Sequence, residues 1–134
     1  MNSAQQFKII LTDDHILLRD ALATLINSFD EFKVISVSGN GEELVQSIES
    51  GYIPDLILLD LNMPKMDGRE CLIELKNDKT LKNIPVIIYS TSDYKLDKEV
   101  TKELGADFFL TKLSDIYPLP EELVKAMNKV EGKN

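Results

Sequence analysis

The stretch Leu56-Ile57-Leu58-Leu59-Asp60 is a run of four apolar residues that ends in an acid. The run has no alternation of polar and apolar residues, as expected for a central strand that is buried on both faces of a parallel sheet. Four other short runs of the chain predict further strands. They are Phe7–Leu11, Lys33–Val37, Val86–Tyr89 and Phe108–Thr111.

The segments after these runs carry apolar residues at helical spacing, so each predicts a helix. The predicted helices cover His15–Phe29, a segment from Glu42 to about Gly51, a segment from Asp67, Lys95–Leu104 and Pro120–Val130. Alternating strands and helices with short links favour a parallel sheet with right-handed crossovers. We therefore predict an α/β fold: a five-stranded parallel sheet in the order 2-1-3-4-5, flanked by five helices in the flavodoxin-like doubly wound arrangement.

The 134 residues are enough for one domain with a hydrophobic core, which we expect at about residues 7–130. Residues 1–6 and 131–134 are predicted to be flexible.

The net charge is −8 and the lysines are scattered, so no basic patch favours direct binding of nucleic acid or of a membrane surface. Neither a signal-peptide pattern nor a membrane-length apolar run is visible, and the expected location is the cytoplasm.

Polar residues follow four of the five predicted strands. Asp13 and Asp14 follow the first strand, Asp60 the third, Ser90 the fourth and Lys112 the fifth. Ligands of open α/β sheets bind outside the carboxyl ends of the strands, so we expect these residues to converge. Adjacent ionised carboxylates repel each other, and three of them together call for a cation. Oxygen ligands without nearby His or Cys favour Mg²⁺ or Mn²⁺ over Zn²⁺.

The same set of residues suits phosphoryl transfer. A carboxylate in the place of Asp60 can act as a nucleophile and form an aspartyl phosphate. Ser90 can donate a hydrogen bond to one phosphoryl oxygen, and Lys112 can neutralise another. Taken singly, Asp14 can be a helix N-cap, Ser90 a turn residue and Lys112 a solvated side chain. Their joint placement at successive strand ends favours the phosphoryl-transfer site.

Four stretches of the chain resemble the response regulator receiver domain, and the resemblance extends over about Phe7 to Val130. Together the four are specific for this family, whereas the pair of aspartates alone is a weak signal. The stretches are Ile9-Ile10-Leu11-Thr12-Asp13-Asp14, Asp60-Leu61-Asn62-Met63-Pro64-Lys65-Met66-Asp67-Gly68, Pro85-Val86-Ile87-Ile88-Tyr89-Ser90 and Gly105-Ala106-Asp107-Phe108-Phe109-Leu110-Thr111-Lys112.

The resemblance implies a role for each matching residue. Asp60 would be the phosphoacceptor, and Asp13 and Asp14 would hold Mg²⁺ together with Asp60 and the main-chain carbonyl of Asn62. Ser90 would be the switch hydroxyl, Lys112 the phosphate-binding lysine and Phe109 the switch aromatic. The phosphoryl donor would be a phosphohistidine on a sensor histidine kinase or a histidine phosphotransfer domain. Independently of the resemblance, helix four has only Leu96, Val100 and Leu104 on its apolar stripe, so we expect it to yield first on phosphorylation. We therefore expect a downstream protein to bind the face formed by helix four, strand five and helix five.

The chain departs from the family pattern at two positions. Leu113 follows the lysine where the family usually has a proline, often in a cis peptide, and a non-proline cis bond costs about 3–4 kcal/mol. Thr91 follows the switch hydroxyl where the family usually has a small residue, and its larger side chain would narrow access to the phosphoryl group. We therefore expect Thr91, Ser92 and Leu113 to modulate the site.

These observations predict a stand-alone receiver domain that works as a phosphorylation-driven switch and relays a signal by protein–protein contact. Its expected chemistry is self-phosphotransfer and autodephosphorylation, without a metabolic substrate. One alternative is an aspartyl-phosphate phosphatase of the haloacid dehalogenase type, although that class requires a second aspartate where this chain has Asn62. The others are a receiver-like module that no longer takes phosphate, and a receiver excised from a longer regulator.

Overall fold

The computed structural model of the chain contains one sheet of five parallel strands. It describes residues 6–91, 94–112 and 116–131. The strands are β1 Phe7–Thr12, β2 Phe32–Ser38, β3 Leu56–Leu59, β4 Val86–Ser90 and β5 Phe108–Thr111. Their order in the sheet is β2-β1-β3-β4-β5, which confirms the predicted topology.

One helix follows each strand, as the sequence predicts. The helices are α1 Ile16–Asn27, α2 Gly41–Glu49, α3 Gly68–Asn77, α4 Lys95–Glu103 and α5 Leu119–Glu131. The first helix ends two residues earlier than predicted, and Phe29 packs against the core from the loop that follows. Within the described residues, no helix has both the length and the apolar character needed to cross a membrane.

The sheet separates two apolar layers because neighbouring residues of a strand face opposite sides. Ile9 and Leu11 belong to the layer that α1 and α5 cover, and Ile10 belongs to the layer that α2 and α3 cover. All four residues of β3 are fully buried, as expected for a strand at the centre of a doubly wound sheet.

The register of the strands places the polar strand ends side by side. Thr12 of β1 is level with both Ser38 of β2 and Leu59 of β3, and Ser90 of β4 is level with Thr111 of β5. Asp13, Asp60 and Lys112 each come directly after these aligned positions. The backbone continues the pairing there, since the Asp60 N–H donates to the Thr12 carbonyl at 2.9 Å.

The start of α3 lies directly against the end of β3. A capping box formed by Asp67 and Glu70 sets the first turn of this helix. Gly68 contacts the backbone at Asp60 and Leu61 so closely that an added Cβ would lie 2.7 Å from the Leu61 Cα and would also meet the Asp60 carbonyl oxygen. The position therefore requires glycine, and the helix start supports the loop that carries Asp60.

We expect Gly68→Ala to lower the free energy of unfolding by about 1–3 kcal/mol, because the methyl group meets backbone atoms that have no rotamer with which to move away. Urea denaturation measures this change. Gly39→Ala is the matched control, since a Cβ there would meet only the ends of the Glu43 and Arg19 side chains, at 3.3 and 3.4 Å. Equal stability of the two variants would contradict the packing argument.

Candidate functional site

Three carboxylates converge at the carboxyl edge of the sheet. Asp13, Asp14 and Asp60 each offer an oxygen, and these oxygens lie within 4.8 Å of one another. Asp13 is 1% exposed and Asp60 is 7% exposed, whereas Asp14 is exposed. Two of the three acids therefore lie in a poorly solvated position, where like charges are costly without a cation.

Lys112 supplies a positive charge to the two buried acids. Its Nζ lies 2.8 Å from Oδ2 of Asp13 and 3.4 Å from Oδ1 of Asp60. The backbone N–H of Lys112 donates to the Ser90 carbonyl at 2.6 Å, which continues the pairing of β4 with β5. The ammonium also lies 5.6 Å from the centroid of the Tyr89 ring. The lysine thus reaches across the sheet from the edge strand to the centre.

A backbone N–H and a side chain at the start of α1 hold Asp13 in place. The N–H of His15 donates to Oδ1 of Asp13 at 2.9 Å, and Nη1 of Arg19 donates to the Asp13 carbonyl at 3.3 Å. His15 itself is the exposed N-cap residue of α1 and makes no side-chain cap bond. The two oxygens of Asp13 therefore have different partners, with one turned to the helix start and the other to Lys112.

Burial raises the pKa of Asp60 from 3.8 to about 6. The positive charge of Lys112 opposes this shift and the negative charge of Asp13 adds to it. Smaller contributions that lower the pKa come from hydrogen bonds with Lys112 and with the backbone of Asn62. Asp60 is thus a carboxylate whose charge the protein stabilises incompletely, and an added cation would favour its ionised form.

The donor set suits a hard divalent cation. All three side chains offer carboxylate oxygens, which Mg²⁺ and Mn²⁺ prefer over the nitrogen and sulfur ligands typical of Zn²⁺. The three acids and Lys112 sum to a formal charge of −2, which a divalent cation balances. The residues present therefore fit Mg²⁺ or Mn²⁺, with Asn62 exposed in the loop directly after Asp60.

The remaining predicted site residues lie around this cluster. Ser90 is fully buried at the end of β4, and Thr91 is exposed directly after it. Phe109 is level with Ile88 in the sheet and packs in the layer on the α3 side, where Nζ of Lys98 lies 5.8 Å from its ring centroid. The modulators predicted at Ser92 and Leu113 lie outside the described residues.

Sequence reasoning missed two contacts of the cluster. The sequence pattern places Tyr89 in a strand and assigns no role to Arg19. An aromatic residue in an otherwise aliphatic strand, directly before a predicted site serine, was a usable signal for Tyr89. The contact of Arg19 with the Asp13 carbonyl depends on how α1 crosses the sheet, which no local pattern reveals.

The profile of the response regulator receiver domain matches residues 9–127, a range that contains all five strand-end residues. This chain therefore belongs to the response regulator receiver domain family. Receiver domains are the regulatory modules of two-component systems, in which a phosphorylated aspartate and bound Mg²⁺ are typical.

Individual relatives agree with this assignment. The nitrate/nitrite response regulator protein NarL of Escherichia coli (strain K12) is 36% identical over 129 residues, which cover 96% of this chain and 56% of NarL. Response regulator Rcp1 of Synechocystis sp. is 39% identical over 123 residues, which cover 90% of this chain and 71% of Rcp1. Other relatives are protein-glutamate methylesterases, of which the matches cover 35% to 38%. The chain thus spans about half the length of NarL and less of the esterases.

Solved structures show the same fold. The phosphorylated cyanobacterial phytochrome response regulator RcpA superposes with a TM-score of 0.78 at 32% identity, over 93% of each chain. The Mn²⁺-bound form of response regulator Rcp1 has a TM-score of 0.75 at 31% identity, over 87% of this chain and 88% of that one.

The raised pKa of Asp60 predicts a pH-dependent loss of stability in the metal-free protein. The folded state binds the Asp60 proton more tightly than the unfolded state, so the contribution of Asp60 to stability is largest below about pH 4 and is lost as the pH rises through about 6. The Asp60→Asn side chain cannot ionise. At pH 7.5 in EDTA we therefore expect the free energy of unfolding of Asp60→Asn to be about 1–3 kcal/mol higher than that of the wild type.

Urea denaturation of both proteins between pH 4 and 8 measures this difference. The gap should narrow toward pH 4, where the wild-type carboxyl is protonated in the folded state and the unfolded state begins to bind the same proton. Asp20→Asn is the control, since it removes an exposed carboxylate on α1 and should leave the shape of the pH profile unchanged. A gap that is constant with pH would refute the explanation by ionisation of Asp60.

Proposed function

We propose that this chain is a phosphorylation-activated signalling switch in which Asp60 accepts the phosphoryl group. The observation that carries the proposal is the convergence of three carboxylates and the Lys112 ammonium at one sheet edge, with Ser90 at the next strand end. Asp60 is the acid at the end of the central strand. Its buried carboxylate lies close to Asp13 and Asp14 and 3.4 Å from the Lys112 ammonium.

The proposed reaction transfers a phosphoryl group from a phosphohistidine of a sensor histidine kinase or a histidine phosphotransfer domain. A carboxylate oxygen of Asp60 attacks the phosphorus, the phosphorus–nitrogen bond breaks, and the donor imidazole takes up a proton. Lys112 and Ser90 are proposed to contact separate phosphoryl oxygens. Water later hydrolyses the aspartyl phosphate and resets the switch.

Asp13, Asp14 and Asp60 are proposed to hold Mg²⁺ or Mn²⁺, with the main-chain carbonyl of Asn62 as a further ligand. The fit of the hard oxygen donors supports this assignment. When bound by these residues, the cation would supply positive charge to the transferring phosphoryl group. The Mn²⁺-bound form of Rcp1, a structure of the same fold, adds support.

The enzymatic alternatives fit the site less well. A haloacid dehalogenase-type phosphatase needs a carboxylic acid two residues after the nucleophile, and the Asn62 amide has no acidic proton to transfer. The methylesterase relatives match this chain over little more than a third of their length. We therefore propose no metabolic activity for this chain. Self-phosphotransfer and autodephosphorylation are its proposed chemistry.

We also propose that the chain constitutes a single receiver domain, with a receiver excised from a longer regulator as the alternative that the longer relatives keep open. Its location in the cytoplasm stays a prediction from the sequence.

The signal is proposed to leave the site through α4 and β5. Ser90 is proposed to move toward the phosphoryl group, which lets Phe109 turn inward in the layer that the two residues share.

Thr101 is the single buried residue of α4, and Leu96, which the sequence placed on its apolar stripe, is 67% exposed. Little apolar burial holds α4 in place, so it is the helix most easily displaced. The ion pair of Arg69 with Asp97, at 2.8 Å, is the contact by which α3 restrains it.

A downstream protein is proposed to bind the α4–β5–α5 face. A groove of about 430 Å³ opens there, and its lining includes Phe108, Phe109, Lys98, Lys102 and Lys129. Among the described residues that line it, Asp107 is the one carboxylate, and it is engaged with the Val86 N–H and with Lys76. The groove is therefore basic on a chain of net charge −8, which favours a partner segment that is acidic and apolar.

We expect one phosphoryl group to add to the wild-type protein on incubation with acetyl phosphate and Mg²⁺, and none to Asp60→Asn. Intact mass spectrometry measures the adduct. Asp13→Ala/Asp14→Ala should remain folded and should lose Mg²⁺-dependent labelling, because the cation ligands are removed. Labelling of Asp60→Asn to the wild-type extent would rule out Asp60 as the acceptor.

We expect the phosphoryl mimic beryllofluoride, with Mg²⁺, to shift the amide resonances of α4 and of Phe109 in the wild-type protein. In Ser90→Ala the mimic should still bind at Asp60, but the shifts in α4 should be lost because the hydroxyl that couples the two regions is missing.

The matched control is Ser38→Ala, which removes another buried hydroxyl, at the end of β2, and should keep the wild-type shifts. Two-dimensional NMR of the three proteins, with and without the mimic, measures the effect. Shifts confined to the Asp60 loop in the wild type would argue against this route of coupling.

A further inference from the structure

The proposed reaction changes the partners that hold the Lys112 ammonium in place. Its ammonium is held by Asp13 at 2.8 Å and by Asp60 at 3.4 Å. Both carboxylates change partners when a cation binds Asp13 and a phosphoryl group joins Asp60. The ammonium therefore loses its present side-chain hydrogen bonds at the moment when its position matters. The backbone bond from Lys112 to Ser90 fixes the start of the side chain but not its end.

The Tyr89 ring lies on the path of this side chain. Tyr89 is level with Leu110 in the sheet, so its side chain shares a face with Leu110 and with Lys112 two residues later. The ring is 4% exposed, packs in the same core layer as Leu119 and Leu123 of α5, and lies 5.6 Å from the Lys112 ammonium. This separation lies within the range of a cation–π contact, and such contacts are strongest where water is excluded.

The ring differs from the carboxylates in that it neither binds a cation nor receives a phosphoryl group in the proposed reaction. Burial, with the charges of Glu122 and Asp13, raises the pKa of Tyr89 to about 12, so the phenol stays neutral at physiological pH. A neutral π face attracts an ammonium without occupying its N–H groups in a salt bridge. Those N–H groups remain available to a phosphoryl oxygen.

We infer that Tyr89 is a positioning residue for Lys112: its ring keeps the ammonium over the sheet edge while the acids around it exchange partners. The inference rests on the proposed function, in which Lys112 meets the phosphoryl group. The part of Tyr89 that acts is the ring rather than the hydroxyl, which separates this role from hydrogen bonding.

Rates of phosphorylation by acetyl phosphate and Mg²⁺ test the inference in five proteins: the wild type, Tyr89→Phe, Tyr89→Leu, Lys112→Met and the double variant Tyr89→Leu/Lys112→Met. Tyr89→Phe keeps the ring and should react within about twofold of the wild type. Tyr89→Leu should react about fivefold to thirtyfold more slowly, the size expected for a desolvated cation–π contact. In the Lys112→Met background, Tyr89→Leu should cause no further loss, because the two residues act as one unit.

A purely structural role for Tyr89 would slow the reaction equally in both backgrounds, and that result would overturn the inference. Equal loss in Tyr89→Phe and Tyr89→Leu would overturn it as well, since the hydroxyl would then be the active part. Urea denaturation verifies that each variant is folded under the assay conditions. Tyr89→Met, whose unbranched side chain adapts to the space left by the ring, replaces Tyr89→Leu if the latter is unfolded.

A second measurement does not depend on phosphorylation. The ε-methylene protons of Lys112 should show an upfield ring-current shift in the wild type and in Tyr89→Phe, and a normal shift in Tyr89→Leu. Absence of the shift in the wild type contradicts the contact between Tyr89 and Lys112. A wild-type protein that shows the shift but accepts no phosphoryl group contradicts the proposed function instead.

Discussion

The buried charge cluster of Asp13, Asp60 and Lys112 is the constraint on which the rest of the site depends. Two carboxylates are almost completely removed from water, and one ammonium lies between them at 2.8 and 3.4 Å. Burying ions is unfavourable unless their partners are well placed, so the backbone around each of them has to be exact to within a few tenths of an ångström. The sheet provides that accuracy, because the three residues come directly after positions that hydrogen bonds hold in register.

The energetic state of Asp60 follows from this arrangement. Lys112 lies closer to Asp13 than to Asp60, so the acceptor carboxylate receives the smaller share of the available positive charge. Burial raises its pKa to about 6, and the more distant contact with Lys112 offsets that shift only in part. A carboxylate whose ionised form is incompletely stabilised gains from a bound cation, which balances its charge. The fold thus destabilises the resting anion and thereby favours the cation binding proposed for the site.

Much of this could be predicted from the sequence. Leu56–Leu59 and Phe108–Thr111 are strands with the predicted bounds, and the sheet order is the predicted one. Both depend on local signals, namely short apolar runs and their alternation with helices. The convergence of the acids with Lys112 followed from one further rule, that parallel strands end at a common edge.

The features that escaped prediction depend on distances between separate segments. Gly68 is needed because of the approach of α3 to the backbone at Leu61, and a capping pattern alone does not report that approach. Leu96 matched a helical stripe, yet α4 sits so shallowly that the side chain remains 67% exposed. The contact of Tyr89 with Lys112 depends on the register of β4 with β5. Periodicity identifies the elements, whereas the depth of packing and the register decide which side chains meet.

The partners of Asp13 indicate how cation binding and phosphoryl binding can be coupled through Lys112. One oxygen of Asp13 accepts the His15 N–H, and the other accepts the lysine ammonium. A cation that bound the second oxygen of Asp13 would compete there with the ammonium, whereas the first oxygen already accepts the His15 N–H at the start of α1. Released from Asp13, Lys112 would turn to the remaining negative charge, which is at Asp60 and, after transfer, on the phosphoryl oxygens. Cation binding would then also redirect the lysine. The three acids and the lysine sum to −2, so the charges favour cation binding before a phosphoryl group brings further negative charge.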